Sequence, residues 1–182
     1  MQYRHLTPAE AVDELRALRS IYQTVFCELP YEEGPEMAER FAGWLREEVR
    51  RPGFDLVAAV QGGQPVGFAY GYRMPAGQWW RRTDRPAPEE VKAAEKFAVM
   101  EWAVLPDHRG KGVGRHLMDE LLRNRPEPWL TLTVNPAAAA RTIYQRWGWR
   151  HVASTRPGQM PSMHVMLLDS SRTSTLPSDL DG

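Results

Sequence analysis

Apolar positions along this chain recur on two different periods, and each switch between them marks a change of element. Gln2 to Leu6 predicts a first strand. Thr7 followed by Pro8 opens a helix whose apolar face is Ala11, Leu15, Leu18 and Tyr22. After a loop from Leu29-Pro30 to Gly34-Pro35, a second helix carries Met37, Phe41, Trp44, Leu45 and Val49 on one side and stops before Pro52. Leu56–Gln61 and Val66–Tyr72, joined through Gly62-Gly63, read as a β-hairpin. Phe97 to Leu105 is an apolar run ended by Pro106, and so a buried strand. The helix after it buries Val113, Leu117, Met118, Leu121 and Leu122 and ends by Pro126. Leu130–Val134 is a further strand. Asn135-Pro136 then reads as a helix entry, with Ala139, Ala140, Ile143, Tyr144 and Trp147 on one face and Gly148 as the stop. Arg150–Thr155 and Met163–Leu168 read as two closing strands.

Two segments escape both periods. Met74 to Glu95 holds Pro75, Gly77, Trp79-Trp80-Arg81-Arg82, Pro86 and Pro88; a loop of this length is unusual unless it has a function. An active-site lid or an ordered surface loop is the favoured reading, over a nucleic-acid contact built on aromatic stacking and arginine. The segment 169–182 is rich in Ser, Thr, Pro and Asp and is expected to be a disordered tail after one domain over 1–168.

Composition narrows the classes. With 182 residues, 42% hydrophobic content and a formal net charge of zero, the chain supports one globular domain and lacks the basic excess of a nucleic-acid binder. Cys27 is the single cysteine, so no internal disulfide forms, and beside Phe26 it is expected as buried packing. No apolar run reaches the ~18 residues a membrane span needs. No signal-peptide pattern opens the sequence, and a cytoplasmic location is the expectation. The histidines His5, His108, His116, His151 and His164 show no metal-ligand spacing, so no metal site is expected.

The chemistry concentrates where the central strand meets its helix. Strand, glycine-rich turn and helix start together make an anion site, because glycines admit a close ligand and the first-turn amides point at it. Arg109, Lys111 and Arg115 set cations around the same turn. The spacing is neither a nucleoside-triphosphate loop nor a dinucleotide fingerprint. Glu101 is the only charge in Phe97–Leu105, and an unpaired carboxylate in a sheet is costly or protonated. It is therefore paired with an arginine or lysine, or else lines a cleft.

Arg109-Gly110-Lys111-Gly112-Val113-Gly114 resembles the Gln/Arg-x-x-Gly-x-Gly/Ala motif of the GNAT acetyltransferase superfamily. Val134-Asn135 leading to Tyr144 and Trp147-Gly148-Trp149 resembles a later family segment, with Trp-Gly-Trp in place of the commoner Leu-Gly-Phe. The resemblance implies a mixed, mostly antiparallel α/β (α+β) fold with about seven strands, helices on both faces, and a splay between the fourth and fifth strands. It also implies acetyl-CoA as co-substrate, lying in that splay. Its contacts would be Ala103 and Val104 at the carbonyl, Arg109, Gly110, Lys111, Gly112, Val113, Gly114 and Arg115 at the pyrophosphate, and Asn135 at the pantetheine arm. The acceptor would be the primary amine of a small molecule or peptide, with no nucleic acid, membrane or metal involved, in a monomer or homodimer. Attack would be direct within a ternary complex. Tyr144 would be the acid for the leaving sulfur, or else a core aromatic; glutamates near the position of Glu101 serve as general base in some relatives, so Glu101 would be the base, a structural ion-pair partner, or neither. Trp79, Trp80 and Trp102 are candidates for acceptor contact. The rival expectation is a non-catalytic acyl-CoA-binding sensor of the same fold.

Overall fold

The computed structural model describes residues 1–156 and 161–175. In chain order the elements are β1 (Gln2–Leu6), α1 (Pro8–Asp13), α2 (Leu15–Phe26), α3 (Pro35–Glu48), β2 (Asp55–Gln61), β3 (Gln64–Met74), α4 (Glu89–Ala93) and β4 (Lys96–Val104). Then follow α5 (Val113–Leu122), β5 (Trp129–Val134), α6 (Ala139–Arg146), β6 (Arg150–Thr155) and β7 (Met163–Asp169). The strands form a seven-stranded sheet in the order β1-β2-β3-β4-β5-β7-β6, mostly antiparallel, with β4 and β5 parallel. Parallel pairing runs from Lys96↔Trp129 to Val99↔Leu132 and stops there, short of Val104 at the end of β4.

The chain divides into two compact units, one built from Met1–Tyr72 and Met100–Arg123, the other from Arg73–Val99 and the described residues from Asn124 onward. In the first, Thr7 caps α1 through a capping box with Glu10, and Pro8 sits in the first turn where its missing N–H costs nothing. Antiparallel β1–β2 and β2–β3 ladders lie under helices whose core includes Leu18, Phe41, Leu45 and Phe68, all fully buried. Gly62 and Gly63, at φ 59° and 79°, make the two-residue turn that closes the hairpin at Gln61↔Gln64. In the second unit, β5 pairs with β7 and β7 with β6, both antiparallel. Lys96, fully buried at the start of β4, donates from Nζ to the carbonyls of Pro75, Val91 and Ala94 at 3.3, 3.1 and 2.8 Å. Its pKa is pushed down by burial.

Several local expectations change in the folded chain. The first predicted helix is two, because Glu14 leaves helical geometry (φ −82°, ψ 0°) and α2 starts anew at Leu15. Trp44, expected on the apolar side of α3, is 45% exposed: Phe41 and Leu45 take the buried stripe and Trp44 falls at its edge. Cys27, expected as packing, is exposed, since it caps the end of α2 where the chain turns off the core. Asn135 does not cap α6. Its Oδ1 accepts from the Ala137 amide at 2.9 Å, a turn of its own, and the helix begins at Ala139 after Ala138. The 74–95 stretch is ordered by α4, by the Lys96 contacts, by Asp84 accepting from the Ser154 amide at 2.7 Å, and by a Thr83↔Thr155 bridge. Ser170–Thr175, inside the expected tail, form a short 3-10 helix, and 176–182 lie outside the described residues. Among the described residues no helix is long and apolar enough to cross a membrane.

Candidate active site

The strand β4 runs into a 3-10 turn at Pro106–His108 and from there into the glycine-rich turn before α5. Leu105 N–H donates to the Val66 carbonyl at 3.0 Å, which holds the end of the strand against β3. Gly110 (φ 65°) and Gly112 (φ 74°) both occupy the left-handed region, where an L side chain is strained. Gly114 is required for another reason. A Cβ there would lie 2.7 Å from Trp102 Cζ2, and the Trp102 indole N–H donates to the Gly114 carbonyl at 3.0 Å. The amides of Gly110, Lys111 and Gly112 make no backbone hydrogen bond among the described residues, and those of the first α5 turn have no intrahelical acceptor. A Cβ at Gly110 would meet open space. Bare backbone, free donors and a helix N-terminus together fit a diphosphate.

The flanking cations are partly committed. Arg109 donates from Nε to the Val104 carbonyl at 3.0 Å and from NH1 to Glu28 at 2.7 Å, so it ties the turn to the end of β4 and to the loop after α2. Lys111 Nζ reaches the Asp107 carbonyl at 2.8 Å, and Arg115 pairs with Asp119 at 2.8 Å. These three cations set a positive surround, and the turn's amides are its uncommitted donors.

On β4, just beyond the last residue paired with β5, Met100, Glu101 and Trp102 are partly exposed between buried neighbours. Trp102 turns to Gly114 on α5; strand alternation sends Glu101 to the other face. Glu101 itself is half-buried in the strand. No hydrogen bond or ion pair reaches it among the described residues. Burial first, then the charges of Glu33 and Glu48, hold its pKa well above the ordinary carboxylate range.

Three tyrosines, Tyr22, Tyr31 and Tyr70, lie within electrostatic range of this carboxylate. Tyr22 on α2 donates from its hydroxyl to Glu33 at 2.6 Å, and Tyr70 on β3 donates to Glu48 at 2.7 Å. Tyr72 adds a 3.3 Å bond to the other oxygen of Glu48. Burial, helped by the negative charge of Glu101, raises Tyr22 and Tyr70 and pushes Tyr31 up to about 12. Glu33 and Glu48 are themselves raised by burial, against the lowering effect of their tyrosine donors. The sequence reading missed all of these except Tyr22, which it took for packing. Tyr70 and Tyr72 alternate with Phe68 on one side of β3, which is legible; no spacing links Glu33, Glu48 and Glu101.

The other expected residues belong to the second unit. Asn135 is buried at the end of β5 in its own turn. Tyr144 is the one buried residue of α6 and packs edge-on to Trp147 at 6.1 Å and tilted to Trp149 at 5.8 Å. Trp80 donates from Nε1 to Thr131 at 2.9 Å, and Trp79 is half-buried with its indole N–H unpartnered. Among the described residues no cluster of His, Cys, Asp or Glu is arranged to hold a metal.

The profile described as the acetyltransferase (GNAT) family matches residues 18–149. Among solved structures, PaiA N-acetyltransferase from Thermoplasma acidophilum in complex with coenzyme A is similar at TM-score 0.64 and 13% identity, covering 93% of this chain and 99% of that one. An aminoglycoside 6'-N-acetyltransferase complexed with coenzyme A gives 0.62 and 15%, covering 93% and 97%. Ribosomal-protein-alanine N-acetyltransferase from Brucella melitensis gives 0.58 and 21%, covering 93% and 99%. No curated protein matches the sequence significantly. With the matching profile spanning most of the chain, over a sheet and glycine turn of the expected kind, this protein belongs to the acetyltransferase (GNAT) family and is an acyltransferase.

Proposed function

We propose that this enzyme moves an acetyl group from acetyl-CoA to the primary amine of a small molecule or peptide, by direct attack in a ternary complex. One observation carries the reading: a half-buried, unpartnered carboxylate, Glu101, lies on the same strand that runs into the free-amide turn. A raised pKa brings a carboxylate closer to that of the ammonium it must deprotonate, which suits a general base.

Acetyl-CoA supplies an activated thioester. The amides of 110–115 hold its pyrophosphate, with Arg109, Lys111 and Arg115 around them, and the backbone at Ala103 and Val104 takes the acyl carbonyl as an oxyanion contact. Glu101, directly or through a water, removes one proton from the acceptor ammonium. The freed nitrogen pair forms the C–N bond and the C–S bond breaks with its electrons on sulfur. Tyr144, assigned on the sequence resemblance, gives its proton to that sulfur and regains one from the acylated nitrogen. Glu101 returns its proton to solvent. Asn135 is assigned to the pantetheine arm on the same resemblance. The names of similar structures include enzymes for aminoglycosides and for a ribosomal-protein alanine, so this fold serves acceptors of different kinds. Thiol release from acetyl-CoA, followed across a panel of amines, tests the reading. Cofactor binding with no turnover on any of them would replace it with the sensor.

A further inference from the structure

We propose that Trp102 is a positioning residue for the cofactor turn: its indole stands where a side chain at Gly114 would be and fixes the opening of α5 for the diphosphate of coenzyme A. The inference rests on the acetyl-transfer reading of the same site. It gives Trp102 a task at the cofactor, through Gly114, in place of a contact with the acceptor.

Trp102 lies near the end of β4 and Gly114 in the first turn of α5. A Cβ on Gly114 would sit 2.7 Å from Cζ2, 3.2 Å from Cε2 and 3.3 Å from Nε1 of the indole, so the ring edge already fills the space a methyl would take. The indole N–H donates to the Gly114 carbonyl at 3.0 Å. That carbonyl shares one planar trans peptide with the Arg115 amide, and the two point in opposite directions. Holding the oxygen therefore sets the direction of the N–H, which in the first turn of a helix is outward past the N-terminus. A hydrogen bond to the carbonyl also polarises the peptide and strengthens that N–H as a donor.

The turn needs such a brace. With glycine at 112 and again at 114, the opening of α5 has little side-chain restraint of its own and costs entropy to hold still. The neighbouring side chains are tied elsewhere, Lys111 to the Asp107 carbonyl at 2.8 Å and Arg115 to Asp119 at 2.8 Å. Strand β4 supplies both fixed points. The Val104 carbonyl accepts from Arg109 Nε at 3.0 Å where the chain enters the turn, and Trp102 holds Gly114 where it leaves. The same stretch carries the backbone of Ala103 and Val104, assigned above to the acyl carbonyl. One strand thus sets how far the diphosphate donors stand from the point where the thioester is polarised. Donors held in place before the ligand arrives lose less freedom when it binds.

The test compares the native enzyme, Trp102→Phe, and Trp102→Phe combined with Gly114→Ala, each checked for unchanged circular dichroism. Phenylalanine keeps an aromatic ring but has neither the N–H nor the Cζ2 edge. In calorimetric titrations, Trp102→Phe should bind coenzyme A and ADP, which share the diphosphate, about tenfold more weakly, the loss of one hydrogen bond and its contact. Pantetheine, which has no diphosphate, should change by less than about twofold. Alanine at 114 then has room for its methyl, stiffens the turn from within, and should recover at least about threefold of the loss. In thiol-release assays the change should appear in KM for acetyl-CoA, with kcat within about twofold of native. Equal binding of coenzyme A by native enzyme and Trp102→Phe overturns the proposal and leaves the acetyltransferase reading standing. A loss as large for pantetheine as for coenzyme A overturns it as well, as does a rise in KM for the amine in place of acetyl-CoA, which would put Trp102 on the acceptor side. Native enzyme that binds no coenzyme A at all would sink the acetyl-transfer reading, and this inference with it.

Discussion

The Arg109 guanidinium meets Glu28 at 2.7 Å, so the first residue of the glycine turn is bonded to the loop that carries Tyr31 and Glu33. Both side chains are more than 40% exposed, and the ion pair alone adds about 0.2–1 kcal/mol. The second Arg109 bond, to the Val104 carbonyl, matters more, because losing it frees a backbone acceptor beside the turn. Glu28→Gln should therefore move the melting temperature by no more than about 4 °C. Arg109→Lys, which lacks the fork to make both bonds, should cost about 1 kcal/mol and weaken the acetyl-CoA-dependent melting shift. Scanning calorimetry with and without acetyl-CoA measures both; a full shift in Arg109→Lys would show that the turn stands without its brace.

Gly112 is left-handed and opens α5. Alanine there should cost roughly 1–2 kcal/mol from backbone strain. Aspartate adds a charge against the pyrophosphate. Acetyl-CoA at ~100 times its dissociation constant should stabilise the native enzyme by about 2.7 kcal/mol, or roughly 5–10 °C. Gly112→Asp should lose most of that rise, and retention of it would place the cofactor elsewhere.

Glu101 has a raised pKa, and the sign of its effect on stability follows. The folded state binds the proton more tightly than the unfolded chain. Its stabilising contribution is thus complete below the ordinary carboxylate pKa of about 4.3 and is lost as pH climbs through the raised value. Glu33 and Glu48, also raised, act in the same direction. Glu101→Gln should then be more stable than the native enzyme at pH 8, by about 1 kcal/mol. The same change should lower kcat/KM by roughly 10²–10⁴ and remove the acidic limb of the pH–rate profile. Melting curves and pH–rate data on one preparation check the pair of outcomes; a destabilised variant at pH 8 would mean Glu101 has a partner in solution.

Gly114 and Trp102 are in direct contact, and an added methyl would come within 2.7 Å of the indole. Gly114→Ala should cost about 1–3 kcal/mol by overpacking. Combined with Trp102→Phe, it should be less harmful than the two single losses added together, with a coupling of at least ~0.5 kcal/mol. Strict additivity in denaturant melts would remove Trp102 as the reason for this glycine.

Features written in a few consecutive residues were readable before any fold was known. Thr7-Pro8 as a helix start, Gly62-Gly63 as a hairpin turn and the 109–114 turn each follow from backbone torsions and local hydrogen bonds, and each is where it was expected. The buried face of α5 was equally plain, because a period of 3.6 assigns one side of a helix to the core. Trp44 and Cys27 were misjudged because they sit at the rim and end of apolar stripes, where composition looks the same and packing differs. Asn135 was misjudged because an Asx turn and a helix cap use the same side-chain bond.

The sequence by itself determined the family, the glycine turn before α5 and the single charge on the central strand, since all three depend on neighbours within a turn or a strand. Tertiary structure alone decided that the charges of Glu33 and Glu48 act on Glu101 and that Tyr22 and Tyr70 bond to those two carboxylates. These residues lie far apart in the chain, and only the docking of α2 and α3 on β3 and β4 desolvates them together and gives their charges one common field.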